Sequence, residues 1–569
     1  MDQGIAQEFL SGKSERWRVV LLLVVTILVY ANTLLNSFTY DDFLYILNNP
    51  AVTAPTLKGF LEPTRAFNLF RPVTFLSFAL NWAVGFIHPF SYHLVNLLLH
   101  AAVTLLLYLL CCKVLERMPE GDFVALAAAL LFAVHPIHTE AVASIVGRSE
   151  MLAAGFLLAA WLLHLRDRQI LELVCLVLAL LSKESAVCFL PLALAGDYAR
   201  GEFKPRQRYF WIAGVSALYV GVLWKVQGGR FGEVSVNFLD NPLASLPATW
   251  RILNALRVAW KYVGLLIYPG ALSYDYSYNA IRLYEDWRHT FPAAVAAIAV
   301  VALWLWALWT RRRGWVLAGA IYFAGFAVTA NALVPTGTIM GERLAYFPSA
   351  GFCLLLALMW VRLKKLKAAW AWAALIVLAG ALGARSVVRN RDWRTNFTLF
   401  SAGVRAVPGS SRAHCNMGGQ YLDSGQLDAA LTEFQTALAI YPDYPDALEY
   451  SGLIESRRGH DQQALELLER AFFFTRKEST RYGERAVNLA AMFMKVGQSD
   501  EAMGLLNQAI EVAPGNARAW ANRAVIYYWR GNVESARVDA ETALLADPSN
   551  PQAQKLLEAL RTPTRVAPR

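Results

Sequence analysis

Residues 17–43 read WRVVLLLVVTILVYANTLLNSFTYDDF. The run 17–35 carries one charged side chain, Arg18, at its start. About 20 apolar residues in helical rise span the hydrocarbon core of a bilayer. The stretch therefore predicts a membrane helix. A short polar head, residues 1–18, precedes it, and no small-residue cleavage site follows, which predicts an uncleaved first helix. Asp41 and Asp42 stand where that helix should leave the bilayer.

The rest of the chain extends this reading. Hydrophobic residues make up 56% of 569 and charged residues 17%, against about a quarter charged in an ordinary soluble domain. The apolar excess lies in residues 17–386, so the expected fold is all-α: a polytopic membrane bundle followed by a soluble tail. The net charge of +10 does not indicate nucleic acid. Much of the Lys/Arg surplus flanks hydrophobic segments, where it orients helices. The six cysteines show no CxxC or Cys/His spacing, so neither zinc nor a disulfide framework is expected.

Membrane helices are expected near 17–35, 91–112, 123–143, 151–165, 169–182, 185–199, 208–226, 291–310, 314–333, 344–361 and 368–386. The short pair 169–182 and 185–199 suggests helices that end inside the protein. Basic residues flank alternate ends: Lys13, Arg16 and Arg18, then Lys113 and Arg117, Arg166 and Arg168, Arg200–Arg208, Arg311–Arg313, and Arg362–Lys367. A cytoplasmic N-terminus puts all of them on one side. Eleven spans then place the tail outside, in the periplasm of a bacterium or the ER lumen of a eukaryote. Long outer segments fall at 36–90 and 227–290. The basic, amphipathic run 250–270 suits an interfacial helix among anionic headgroups better than a span.

A linker is expected at 391–410 and a helical-repeat domain at 411–569. Gly425, Gly459, Gly497 and Gly531 recur at about 34 residues, and Pro442, Pro514 and Pro548 close three of the units. Trp520, Ala524, Tyr527, Ala536 and Ala543 fill tetratricopeptide (TPR) positions in the last unit, as Gly418, Tyr421, Ala430, Phe434 and Ala437 do in the first. About four TPRs are predicted, the second degraded and with an insertion at 472–480.

The unusual polar chemistry gathers on the outer side. Adjacent carboxylates such as Asp41 and Asp42 raise one partner's pKa and can supply a general base; a metal would need further oxygen ligands. HPIHTEAVASIVGRSE (135–150) holds His138, Glu140, Arg148 and Glu150. Its HxxH is a weak zinc signal, being no HExxH and having no following acidic partner at helical spacing. Lys183 and Glu184 interrupt an apolar stretch, and Glu342 and Arg343 open another helix. Charges at such depths are costly beside lipid and mark either a cavity or internal Arg–Glu staples. Several cations on one face suit a phosphate, for which Arg offers a bidentate fork.

FTYDD, RPVTFLSFALNW, PFSYHLVNLLLH, HPIHTEAVASIVGRSE, LLSKES and GERLAYFPSAGF, in this order and followed by TPRs, resemble the TMTC family over essentially the whole chain. Those are transmembrane-and-TPR protein O-mannosyltransferases of the glycosyltransferase-C class. The smaller number of repeats points to a bacterial member. The resemblance implies a membrane-embedded transferase in residues 1–390 that moves mannose from a polyprenyl phosphate to Ser/Thr hydroxyls of a polypeptide held by the TPRs. It implies a single inverting displacement without metal or other cofactor. Asp41 or Asp42 would be the base, Asp41 the favoured one. Arg343 is the first phosphate contact, with Arg148 and Lys183 next to it. Glu140 and Tyr346 would shape the sugar pocket, and Glu184 and His138 complete the expected substrate contacts. The competing readings are transfer of another lipid-linked sugar onto glycan or lipid, and a non-enzymatic TPR scaffold at the membrane.

Overall fold

The computed structural model describes residues 13–62, 69–85, 87–228, 236–332, 334–477 and 479–561. Parts of the two long loops expected at 36–90 and 227–290 therefore lie outside the described residues. No strand occurs among the described residues. The chain divides into two compact units, Met1–Gly409 and Ser410–Arg569.

In the first unit every expected membrane segment coincides with helix over most of its described length, the segment expected at 314–333 ending as helix at Ala327. Seven described helices are long and apolar enough to cross a bilayer, or eight if Gly121–Val134 and Pro136–Ala143, bent by 50°, form one broken span. Three of the eleven expected spans are shorter: Gln169–Ser182, Phe189–Arg200 and Arg313–Ala327. At 1.5 Å per residue, 12–15 residues reach only about 18–22 Å. The first two are joined by the turn Lys183–Cys188, which sits at the level of the polar motifs, and each packs mainly on another helix, Arg148–Leu165 and Arg313–Ala327 respectively. Their other ends are tied by His164, fully buried, which bonds Glu172 at 2.7 Å and Asp197 at 2.8 Å. The run expected to be interfacial is the helix Ala248–Ile267, which is not among the candidate spans. Its Arg257 donates to Asn254 and the Arg282 carbonyl, and Lys261 lies over the Tyr276 ring. Both cations are thus partly spent on protein contacts.

The basic flanks gather at one end of the bundle. Arg18 pairs with Asp122, Arg117 and Arg200 with Glu202, Arg208 with Asp167 and Glu172, and Lys364 with Glu120. Cations that flank five different expected helices meet there, as helix-orienting charge requires. The motifs 38–50, 135–150, 182–184 and 341–346 lie at the opposite end. Residues 391–409, expected as linker, belong to this unit and are mostly folded: a turn at Arg391–Arg394 and a helix at Asn396–Ala406 capped by Thr395 and Thr398. That helix packs closely; a Cβ on Gly403 would come within 2.3 Å of the Tyr274 ring.

The second unit is four helix pairs and a closing helix, Pro551–Arg561. Gly425, Gly459, Gly497 and Gly531 each adopt φ of +74° to +83° at the bend inside a pair. Side chains rarely tolerate that region, so the glycine period records a turn made four times. The unit expected to be degraded is a regular pair, Pro445–Arg457 and Asp461–Phe473. The insertion lies after it, before Tyr482–Lys495.

Candidate functional site

The loop that leaves the first helix is held by its own carboxylate. Asp42 is fully buried. Its Oδ2 accepts from the Thr39 N–H at 2.9 Å and its Oδ1 from the Val146 N–H at 3.1 Å. One side chain thus clamps two motifs that lie a hundred residues apart. Burial pushes its carboxyl up to about 7, against the pull of the N–H donors, with the neighbouring Asp41 adding to the rise. Asp41 itself is half-buried. It lies within electrostatic reach of Tyr45 and Arg343.

Around Asp41 the cations are paired. Arg343 donates from Nη1 to Glu140 Oε1 at 2.5 Å and from its backbone N–H to Oε2 at 2.9 Å. Glu140 is 1% exposed, whereas the Arg343 side chain is 32% exposed. Among the described residues no group accepts from Nε or Nη2 of Arg343, so half of the fork faces outward. Lys183 is buried against Glu150. Arg71 grips Glu184 bidentately, Nε to Oε2 at 3.0 Å and Nη2 to Oε1 at 2.6 Å. Arg71, Lys183, Glu150 and Glu184 act on one another electrostatically, and Arg71 and Arg343 share Tyr45 as a neighbour. The result is one continuous polar cluster of Asp41, Tyr45, Arg71, Glu140, Glu150, Lys183, Glu184 and Arg343.

A small cavity adjoins this cluster. Glu150, Lys183 and Ser185 are its polar lining; Ala153, Ala154, Leu157, Gly325, Phe347 and Pro348 are its apolar lining.

Three expected contacts lie elsewhere. Arg148 is fully buried and, among the described residues, no carboxylate hydrogen-bonds to it, although Asp42 acts on it electrostatically. Its Nε donates to Asn96 Oδ1, Nη1 to Asn81 Oδ1 and the Ser77 carbonyl, and Nη2 to the Tyr92 carbonyl, under the Phe78 ring. With each guanidinium nitrogen engaged, it binds the Pro72–Gly85 and Pro89–Leu115 helices to the 145–148 turn. A Cβ on Gly147 would strike the Ala141 carbonyl at 2.3 Å, so glycine lets that turn close. Tyr346 and His138 lie in the buried aromatic core: Tyr346 OH is 2.8 Å from His100 Nδ1, and His138 Nε2 is 2.7 Å from Ser349 Oγ. Arg71 was not expected in the cluster, although it heads RPVTFLSF. Its place directly before Pro72, at a helix start, was the available signal. No grouping of three or more metal-ligating side chains occurs among the described residues.

Comparison with known proteins now bears on this geometry. A Caenorhabditis elegans protein named Protein O-mannosyl-transferase F38B6.6 is 31% identical over 452 residues, covering 76% of this chain and 64% of its own length. The mouse Protein O-mannosyl-transferase TMTC3 is 27% identical, covering 89% of this chain and 61% of its own. The chain is a homologue of the TMTC proteins. It spans less than two thirds of the length of these TMTC relatives. The tetratricopeptide repeat family matches residues 416–474 and 493–560. Among solved structures, YrrB, described as a TPR protein with an unusual peptide-binding site, is similar at 18% identity, covering 35% of this chain and 97% of its own, with a TM-score of 0.25.

Proposed function

We propose that this TMTC homologue transfers mannose from a polyprenyl-phosphate carrier to Ser or Thr hydroxyls of a polypeptide, on the outer side of the membrane. The observation that carries the reading is Arg343. It is fixed through Glu140, gives Nε and Nη2 to no acceptor among the described residues, and lies within electrostatic reach of Asp41. A phosphate leaving group calls for such a cation beside the base, and the names of the relatives supply the sugar and the acceptor.

In the proposed step the Asp41 carboxylate takes the hydroxyl proton. The hydroxyl oxygen bonds to the anomeric carbon as the bond from that carbon to the phosphate oxygen breaks. The lipid phosphate leaves with the electron pair, and the anomeric configuration inverts. Arg343 stabilises the departing charge, which is where oriented donors act most strongly. Lys183 and Arg71, each bound to a carboxylate, keep the polar wall nearly neutral. Asp42 has both oxygens occupied by backbone N–H groups and serves as the brace, so Asp41 is assigned the proton transfer. The gathering of basic flanks at the far end supports an outward-facing site, and the TPRs offer a surface for the acceptor chain.

The test is purified full-length protein in liposomes with labelled polyprenyl-phosphate mannose and a Ser/Thr-rich polypeptide. Hexose on Ser or Thr is expected from the wild type, and none from Asp41→Asn. A product on glycan or lipid instead would favour transfer of another kind, and full activity in Asp41→Asn would remove the assigned base.

A further inference from the structure

We propose that Asn396, in the segment that follows the last membrane helix, is a positioning residue for the Asp41 loop. The proposal rests on the transferase reading above. Asn396 Oδ1 accepts from the Tyr40 backbone N–H at 2.8 Å, across 356 positions of sequence. Tyr40 has φ of +48°. Non-glycine residues occupy that left-handed region sparsely, and they do so where surrounding contacts hold them there. The contacts are visible. The neighbouring N–H, of Thr39, is taken by Asp42, and the Ser37 N–H donates to the Arg394 carbonyl at 3.0 Å. The Tyr40 ring stands edge-on to Tyr274 at 5.2 Å and to Phe400 at 6.0 Å. Asp41 is thus flanked by two residues whose positions are fixed from outside the loop: Asp42 through Val146, and Tyr40 through Asn396.

The local structure around Asn396 suits this task. It is the first residue of its helix, and the start of that helix is fixed by the reciprocal bonds of Thr395 and Thr398. The Thr398 hydroxyl also donates to the Asp392 carbonyl at 3.0 Å. Asn396-Phe397-Thr398 has the form of an N-glycosylation acceptor. Here Asn396 Oδ1 and the Thr398 hydroxyl are both used by the fold. Phe400 and Gly403 of the same helix close on Tyr274, so the helix, the segment that carries Tyr274 and the Asp41 loop form one packed corner. Losing the Asn396 acceptor frees the Tyr40 amide and lets Asp41 turn away from the reacting hydroxyl. A general base depends on placement to within about an ångström.

The test compares full-length wild type, Asn396→Ala and Asn396→Asp in liposomes with labelled polyprenyl-phosphate mannose. Asn396→Ala should lower kcat about tenfold or more, with donor KM within about twofold. Asn396→Asp keeps an acceptor for the Tyr40 N–H and abolishes any glycan, so it should restore most of kcat. Wild-type kcat in Asn396→Ala, or an Asn396→Asp as poor as Asn396→Ala, would overturn the proposal. Hydrogen exchange at residues 38–42 provides a readout that does not need turnover: faster in Asn396→Ala, protected in wild type and Asn396→Asp. An inactive wild type would count against the transferase reading alone. Unchanged exchange in Asn396→Ala would count against the positioning role alone.

Discussion

Arg343 and Glu140 meet at two points, one through the guanidinium and one through the Arg343 backbone N–H, and only Arg343 of the two is open to solvent. The asymmetry predicts unequal costs. Arg343→Ala leaves the buried carboxylate with only the backbone N–H of residue 343, which should cost about 2–3 kcal/mol. Glu140→Ala leaves a cation that can reach solvent, and it should cost about 1–2 kcal/mol. The double variant should lie well short of the sum. Thermal unfolding in detergent measures all three, and equal losses from the two single changes would contradict the burial argument.

Arg148 and Arg343 belong to different sequence motifs and have different partners. Arg148→Lys retains the charge and loses the fork that meets Asn81, Asn96 and Tyr92. The stranded amide and carbonyl acceptors should lower stability by about 2–3 kcal/mol. Donor KM per folded molecule should stay near wild type, whereas Arg343→Lys should raise it about tenfold, from loss of a bidentate phosphate contact. Radiolabelled donor titration corrected for folded fraction separates the two. A matching rise in KM for Arg148→Lys would return it to the substrate site.

The difference explains what was legible in the sequence. The positions of the helices, the repeat period and the gathering of basic flanks at one end follow from local rules: apolar length, flanking cations and a glycine in each bend. Pairing partners do not, because Arg71–Glu184 and Arg343–Glu140 join residues more than a hundred positions apart. An arginine in an apolar segment reads the same whether carboxylates or neutral amides await it. Asn81 and Asn96, polar residues within apolar helices, were the clue to the Arg148 cage. The segment 391–409 reads as linker because its helix is short and amphipathic, and its packing partner, Tyr274, lies far away in the chain.

Asp42 predicts a pH dependence of stability. Its folded carboxyl is raised to about 7, above an unfolded value near about 3.9. Between those values the folded state holds more protons than the unfolded, so stability falls as pH rises through that window and levels off above it. Asp42→Asn should flatten this slope. Melting curves from pH 4 to 8 for both proteins check the sign; a slope unchanged by the substitution would show that Asp42 is not its source.

In the repeat unit, buried Glu449 accepts from Arg481 and Arg485, each at 3.0 Å, and from Asn488 at 2.7 Å. It joins the helix Pro445–Arg457 to the helix Tyr482–Lys495 across the insertion, where no closing proline helps. Glu449→Ala removes one carboxylate from Arg481 and Arg485, while Asp446 and Thr475 still hold Arg485, so it should cost the unit about 1–3 kcal/mol. Stacked repeats contribute through their neighbours, so protease sensitivity should rise first at 472–481. The proposed acceptor role adds a second readout in the full chain. If the TPRs gather an extended polypeptide, Glu449→Ala should slow transfer to a long acceptor and leave transfer to a short Ser/Thr peptide near wild type, since the short peptide engages only the Asp41 site. Equal loss on both substrates would place the defect in folding of the whole chain. Equal retention, with the repeat unit demonstrably loosened, would exclude the TPRs from acceptor capture.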